Sequence, residues 1–211
     1  MSRYIGPVCR LCRREGTKLF LKGQKCFTKC VLEKRKEIPG QHGKGRSRVR
    51  KPSEYSKRLR EKQKLRRMIG VGERPFRRYF AWAASRPGLT GETLLRLLET
   101  RLDNVVQRMG FSISKVAARQ MILHGHILVN GKTFNIPSYP VKPGDQIVLK
   151  EGSRTNVHFQ KWWEQSHQSS SFPSWLDSQA DTFSGQVKSW PSREEMSFPV
   201  NEQLIVELYS K

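Results

Sequence analysis

Apolar residues recur at helical spacing through the middle of the chain and at strand spacing just beyond it. After Pro52-Ser53, Tyr55, Leu59, Leu65 and Ile69 share one helical face, while Lys57, Arg58, Arg60, Lys62, Lys64, Arg66 and Arg67 cover most of the rest. This predicts a helix with one wet, positive side, on which Arg58, Lys62 and Arg66 are candidate contacts for an anionic partner. Gly70-Val71-Gly72 ends it. Phe76, Tyr79, Phe80 and Ala83 then fall at i, i+3, i+4, i+7 and predict a second, core-facing helix with Arg77 and Arg78 off the stripe. Beyond Arg86-Pro87-Gly88, Thr90 can cap a third helix carrying Leu94, Leu95, Leu97, Leu98, Leu102, Val105, Val106 and Met109, stopped by Gly110.

From Phe111 to Leu149 the period changes. Ser112 or Ser114 can cap a short helix through Ala117–Leu123, which Gly125 ends by supplying a positive φ. His126–Val129 and Lys132–Phe134 alternate as strands across Asn130-Gly131, a strong type I′ turn signal, and Pro143-Gly144-Asp145 turns the chain into the strand Gln146–Leu149. Helix, hairpin and strand make one compact αβ unit. Farther on, residues 165–172 read as a flexible Ser-rich surface loop. Trp162-Trp163 read as core or interdomain packing rather than as base-stacking residues. Trp175, Val187, Trp190 and Leu204–Leu208 suggest strands or apolar anchors that return to cover the helical region.

Charge changes the picture from fold to partner. The chain has 211 residues with 40 Lys and Arg against 18 Asp and Glu, a net charge of +22, and 36% hydrophobic residues. That favours one or two small domains with basic appendages over a single enzyme-sized core. Residues 1–80 hold 26 basic and 6 acidic side chains, and the remainder 14 and 12. Such a concentrated field suits a polyphosphate, because each phosphate neutralised releases condensed counterions. A membrane surface fits poorly, since the basic region lacks a continuous Trp/Leu/Phe face and no run approaches the roughly 18 apolar residues of a span. Gly43–Lys51, with Lys44, Arg46, Arg48 and Arg50, has no apolar period and reads as an arm that orders on RNA. Arg3, beside the N-terminus, belongs to the same basic region.

Cysteine spacing adds a second chemistry. Cys9-x-x-Cys12 and Cys26-x3-Cys30 hold every cysteine of the chain, and two close thiolate pairs fit a tetrahedral zinc site with no open position for water. The readings rank as one structural zinc, then reduced unliganded thiols, then disulfides, because no apolar secretory segment follows the first residues. The knuckle would hold Arg10, Arg13, Arg14, Lys25 and Lys29 toward RNA. With four thiolates available, His42 is read as a loop position against RNA rather than as a ligand.

No enzyme constellation accompanies these features. There is no phosphate loop ending in Gly-Lys-Ser/Thr, no nucleophile elbow and no His-Glu-x-x-His pair, so no small-molecule substrate is expected. Two rivals compete with a plain RNA binder. An RNA-modifying enzyme would need a catalytic domain for which there is no room, and a zinc-finger DNA regulator would need a recognition helix that the glycine-containing loop Arg13–Lys25 does not suggest.

Arg101-Leu102-Asp103-Asn104-Val105-Val106, Ala118-Arg119-Gln120, His126-Ile127 through Asn130-Gly131, and Pro143-Gly144-Asp145 resemble the small RNA-binding module named after ribosomal protein four of the small subunit. The flanks extend the likeness over the whole chain to the bacterial-type ribosomal protein four family: Arg3-Tyr4-Ile5-Gly6-Pro7, Pro39-Gly40-Gln41-His42-Gly43, Leu59–Arg66, Arg77-Arg78-Tyr79-Phe80 and the closing Asn201–Lys211.

The resemblance implies a primary binder of small-subunit ribosomal RNA that acts early in assembly. It would sit by the path through which messenger enters, beside proteins three and five, and influence decoding accuracy in a cytoplasmic or organellar ribosome. Messenger RNA is a further candidate partner. Many members of the resembled family lack the cysteines, which makes zinc a local folding device there.

In the resembled module RNA faces the positive side of the short helix and hairpin, here Lys115, Arg119, Gln120, His124, His126 and Lys132. Phosphates and 2′-hydroxyls rather than base edges would be read. Arg119 could instead pair with Asp103, and His124 or His126 could bond the helix end.

The fold expected is α+β in three parts. A zinc-stapled basic arm covers 1–45, and a small helical domain at 46–98 is completed by 175–211. The inserted RNA-binding module, a helix pair on a small antiparallel sheet, covers 99–174.

Overall fold

The structure is a computed structural model that describes residues 4–41, 52–169, 172–179, 182–196 and 198–210. The chain forms two compact units, Met1–Thr93 with Phe198–Lys211, and Leu94–Ser197. The architecture is mixed: helices plus one small antiparallel sheet.

The first unit opens on three short helices, α1 (Cys9–Glu15), α2 (Gln24–Thr28) and α3 (Val31–Lys34), and residues 16–23 of the expected loop lie outside them. Gly16 stops α1 in the left-handed region at φ 68°. Then come α4 (Glu54–Ile69) and α5 (Glu73–Ala84), with Ser53 capping α4 through a bond from the Ser56 N–H. The expected apolar stripe is realised in part, since Leu65, Ile69, Phe76, Tyr79 and Ala83 are buried while Tyr55 stays 63% exposed.

α6 (Thr90–Glu99) and α7 (Leu102–Arg108) replace the single helix expected from Thr90 to Met109. The break lies at Arg101, which is extended at φ −68°, ψ 138° and bridges to Pro140. The N–H groups of Leu102 and Asp103 donate to the carbonyls of Tyr139 and Pro137 instead of to the preceding turn. A loop distant in sequence thus takes the bonds that a continuous helix would have used.

The second unit continues with α8 (Lys115–Leu123), capped by Ser114, and the strands β1 (Ile127–Val129), β2 (Lys132–Thr133) and β3 (Gln146–Leu149). Asn130 and Gly131 both have positive φ, 51° and 78°, as a type I′ turn requires. The Asn130 amide donates to the Asp145 carboxylate at 2.8 Å and its carbonyl accepts from the Gln146 N–H, so the hairpin turn and the Gly-Asp turn lock each other.

Helices α9 (Glu151–Arg154) and α10 (Val157–Ser169) follow, then β4 (Leu176–Gln179) and β5 (Ser184–Val187). The sheet order is β2-β1-β3-β5-β4, antiparallel throughout.

That order corrects the expected domain limits. The sequence reading gives residues 175–187 to the helical domain, but β5 pairs with β3, and Trp175, Leu176 and Val187 are buried in the core with Phe111, Ile122, Ile127 and Ile147. Gly185 shows why the strand fits there, since a Cβ would stand 2.8 Å from both the Asp177 carbonyl and the Met109 sulfur. The Ser-rich tract is corrected in part: residues 170–171 lie outside the described residues, while residues 165–169 extend α10. There His167 bonds the Trp163 carbonyl at 2.9 Å and the Ser178 hydroxyl at 3.0 Å. Trp163 is core, stacked on Phe183 and tilted against Phe111.

The C-terminus is helical, α11 (Glu202–Tyr209), where the apolar run Leu204–Leu208 is equally compatible with a strand. It lies along α4, with Arg58 Nε 2.7 Å from Glu207 Oε2 and the Tyr209 hydroxyl donating to Glu73 at 3.0 Å.

Candidate nucleic-acid interface

The first unit divides its cations into two populations. Glu15, with its side chain 3% exposed, accepts from Arg67 and lies 3.3 Å from Arg60, which ties the N-terminal knuckle to α4. Burial pushes the Glu15 carboxyl above its ordinary range, opposed by Arg60, Arg67 and Arg14. Lys62 is 6% exposed, bonds both Glu73 oxygens at 2.9 and 3.0 Å and lies 5.8 Å from the Tyr209 ring. Burial works against ionisation of Glu73, but Lys62 and Tyr209 hydrogen bonds outweigh it and hold that carboxyl low.

Lys62, proposed from sequence as an RNA contact, is therefore a structural cation. Arg58 pairs with Glu207, and Arg66 bonds Gln63 at 2.9 Å. The wet positive side expected on α4 is in large part paired, because Glu73 and Glu207 approach it from other helices.

The second population faces solvent. Arg10, Arg14 and Lys25 are exposed, and Arg13 donates from Nε to the Glu37 carbonyl at 2.9 Å. Arg77 keeps its side chain 70% exposed, although Glu73 is 3.6 Å away. Sequence reasoning missed a stripe on the same helix: Arg74, Arg78 and Trp82, followed by Arg86, are all exposed at four-residue spacing. The Arg78 guanidinium lies 5.2 Å from the ring of Trp82, which is 47% exposed. The i, i+4 recurrence opposite Phe76 and Ala83 was the available signal. Arg3, His42, Lys44, Arg46, Arg48 and Arg50 lie outside the described residues.

In the second unit the predicted set also splits. Arg119 Nη1 is 3.5 Å from Asp103 Oδ2, and Arg101 grips the same carboxylate at 3.0 and 2.7 Å, so the pairing weighed from sequence is formed. Loss of solvent pushes Lys115 down to about 8, while Glu99 holds it up. Glu99 also accepts from Asn104 at 2.6 Å and Arg108 at 2.8 Å.

His126 bonds the Ser153 hydroxyl at 2.8 Å, and burial, aided by His124 and Lys150, lowers its pKa. Exposed Gln120 and His124 contact each other at 2.5 Å, and Lys132 is exposed on β2. The outward polar set of this unit is thus Gln120, His124 and Lys132, held over a buried ionic layer.

The four thiols all lie in the N-terminal part of the first unit, Cys12, Cys26 and Cys30 buried and Cys9 partly so. Burial raises the Cys12 pKa, an N–H from Leu19 opposes this, and Cys26, Cys9 and Cys30 are each near enough to raise it further. Cys26 Sγ accepts from the Lys22 N–H at 3.3 Å. Backbone donors aimed at sulfur suit thiolate ligands. Among the described residues, however, no three His, Cys, Asp or Glu side chains are drawn together as closely as a bound ion requires.

Exposed cations on short helices, and a helix-and-hairpin module with an outward polar face, define a basic protein with a nucleic-acid-binding type of surface. Comparison with known families is specific. The Ribosomal protein S4/S9 N-terminal domain matches residues 3–99, and the S4 domain matches residues 100–147.

Proteins named small ribosomal subunit protein uS4 align over the full length of both chains. That of Natranaerobius thermophilus is 57% identical, that of Pelotomaculum thermopropionicum 51% and that of Thermus thermophilus 50%. The chain belongs to the ribosomal protein S4 family.

Proposed function

We infer that this chain is a structural constituent of the small ribosomal subunit that binds its RNA, a structural rather than catalytic role in the cytoplasm. The observation that carries the reading is the full-length 57% identity to a small-subunit protein, joined to the surplus of exposed Arg and Lys. Each unit brings its own surface. The first would hold phosphates through Arg10, Arg13, Arg14, Lys25, Arg74, Arg77, Arg78 and Arg86, and the second through Gln120, His124 and Lys132, with the desolvated Lys115 beneath them. Arg58, Arg66, Arg119 and His126, already partnered, would add contacts only at the rim. Recognition of folded RNA would be by shape, because an A-form major groove is too deep and narrow for side chains.

The family likeness extends the reading to early binding in subunit assembly, a place beside proteins three and five near the path of incoming messenger, and an influence on decoding accuracy. Tagged protein expressed in a bacterium should co-sediment with small subunits in a sucrose gradient. Accumulation as free protein at the top of the gradient would sink the reading.

The thiol set is proposed to hold one structural zinc ion through Cys9, Cys12, Cys26 and Cys30. Bound there, the metal would cross-link the knuckle; Arg10, Arg13, Arg14 and Lys25 would do the RNA work. Metal analysis under reducing conditions is expected to give about one zinc per chain. The quadruple Cys→Ser variant should be cut by protease in the first 40 residues far faster than wild type. Substantially less than one zinc per chain in the purified protein, together with a Cys→Ser variant as protease-resistant as wild type, would rule the staple out.

A further inference from the structure

Two neighbouring phenyl rings stand largely out of the knuckle. Phe20 is 49% exposed and Phe27 70% exposed, with ring centroids 5.0 Å apart and planes at 31°. Phe20 also has φ 51°, a left-handed conformation that is an outlier for a bulky side chain. The residues beside them are firmly held: Leu19 is 4% exposed and Cys26 8% exposed. A buried frame therefore presents both rings outward, and the backbone at Phe20 is strained to do so. Strain kept at an exposed aromatic pair points to a ligand that covers it.

The surroundings say which kind. From Gly16 to Leu32 the chain carries Lys18, Lys22, Lys25 and Lys29 and no acidic residue. Lys18 is tied to Glu33 at 2.5 Å, whereas Lys22, Lys25 and Lys29 are exposed. Aromatic faces framed by cations match unpaired nucleotides, whose bases stack on phenyl rings irrespective of sequence while their phosphates meet the ammonium groups. A membrane would want a broader apolar face than two rings.

We propose that Phe20 and Phe27 form a stacking site for unpaired bases of the RNA that this protein binds, with Lys22, Lys25 and Lys29 holding the adjoining phosphates. The proposal rests on the RNA-binding reading above and adds to it a base-stacking step at a defined place.

The test uses the full-length protein and deproteinised small-subunit ribosomal RNA, with affinity measured across a salt series. Phe20→Gly removes the strain as well as the ring, so its melting temperature should hold or rise while affinity falls. Phe20→Gly/Phe27→Ala should weaken binding about five- to hundred-fold. The slope of log affinity against log salt should not change, because no charge is lost. Phe20→Tyr/Phe27→Tyr should bind within about two-fold of wild type, and Phe27→Ala alone guards against a folding defect at position 20.

Wild-type affinity in both Phe→Gly/Ala variants would overturn the stacking site and leave the general reading standing. So would normal RNA binding combined with failure to join subunits, which would assign the rings to a protein partner. Wild-type protein that does not bind the RNA at all would overturn both.

Discussion

Asp103→Ala is expected to lower the unfolding free energy by about 3–5 kcal/mol, read as a drop in urea midpoint at unchanged slope. The carboxylate is 5% exposed and is shared by two guanidinium groups. Arg101, itself 3% exposed, meets it through a two-pronged fork, and Arg119 approaches from α8. Removing the acid leaves the buried Arg101 charge stripped of that carboxylate, and the lost pairing cannot be replaced by water at such depth.

Arg101 also lies where α6 and α7 part. Asp103→Leu combined with Arg101→Met should recover much of the loss, since removing both charges eliminates the desolvation cost. A loss under about 1 kcal/mol for the single variant would show that the pair is dispensable.

RNA affinity should fall by roughly three to five decades between about 50 and 200 mM salt if six to ten phosphates are neutralised. Among the exposed cations of the first unit, Arg10, Arg14, Lys22, Lys25, Lys29, Arg74, Arg77, Arg78 and Arg86 already supply nine candidates. Lys62, Arg67 and Arg60 are excluded from that count because they are engaged by Glu73 and Glu15. A slope near zero on a double-logarithmic plot would remove the electrostatic mechanism. Filter binding with fixed magnesium makes the measurement direct.

Much of the architecture was legible because its causes are local. Asn130-Gly131, Gly110, Gly125 and Gly144 take the positive φ that only such residues adopt readily, so the turns followed from residue type. The i, i+3, i+4 stripe of α5 and the capping serines 53 and 114 likewise needed no knowledge of the rest of the chain. The candidate site was less legible. A lysine at a polar helical position looks the same whether it faces RNA or a carboxylate from elsewhere, and only the arrival of Glu73 and Tyr209 turned Lys62 inward. Arg119 differs in the same way, its alternatives having been separated by the placement of Asp103.

By itself the sequence determined the charge asymmetry, the turn positions and the class of partner, all properties of residue identity and short separations. The tertiary structure alone decided that β5 joins β3, that the helix breaks at Arg101 and which cations remain free. The physical reason is range. Sheet pairing across residues 146–187 and ion pairs such as Arg58–Glu207 depend on contacts between distant parts of the chain, which no local periodicity encodes.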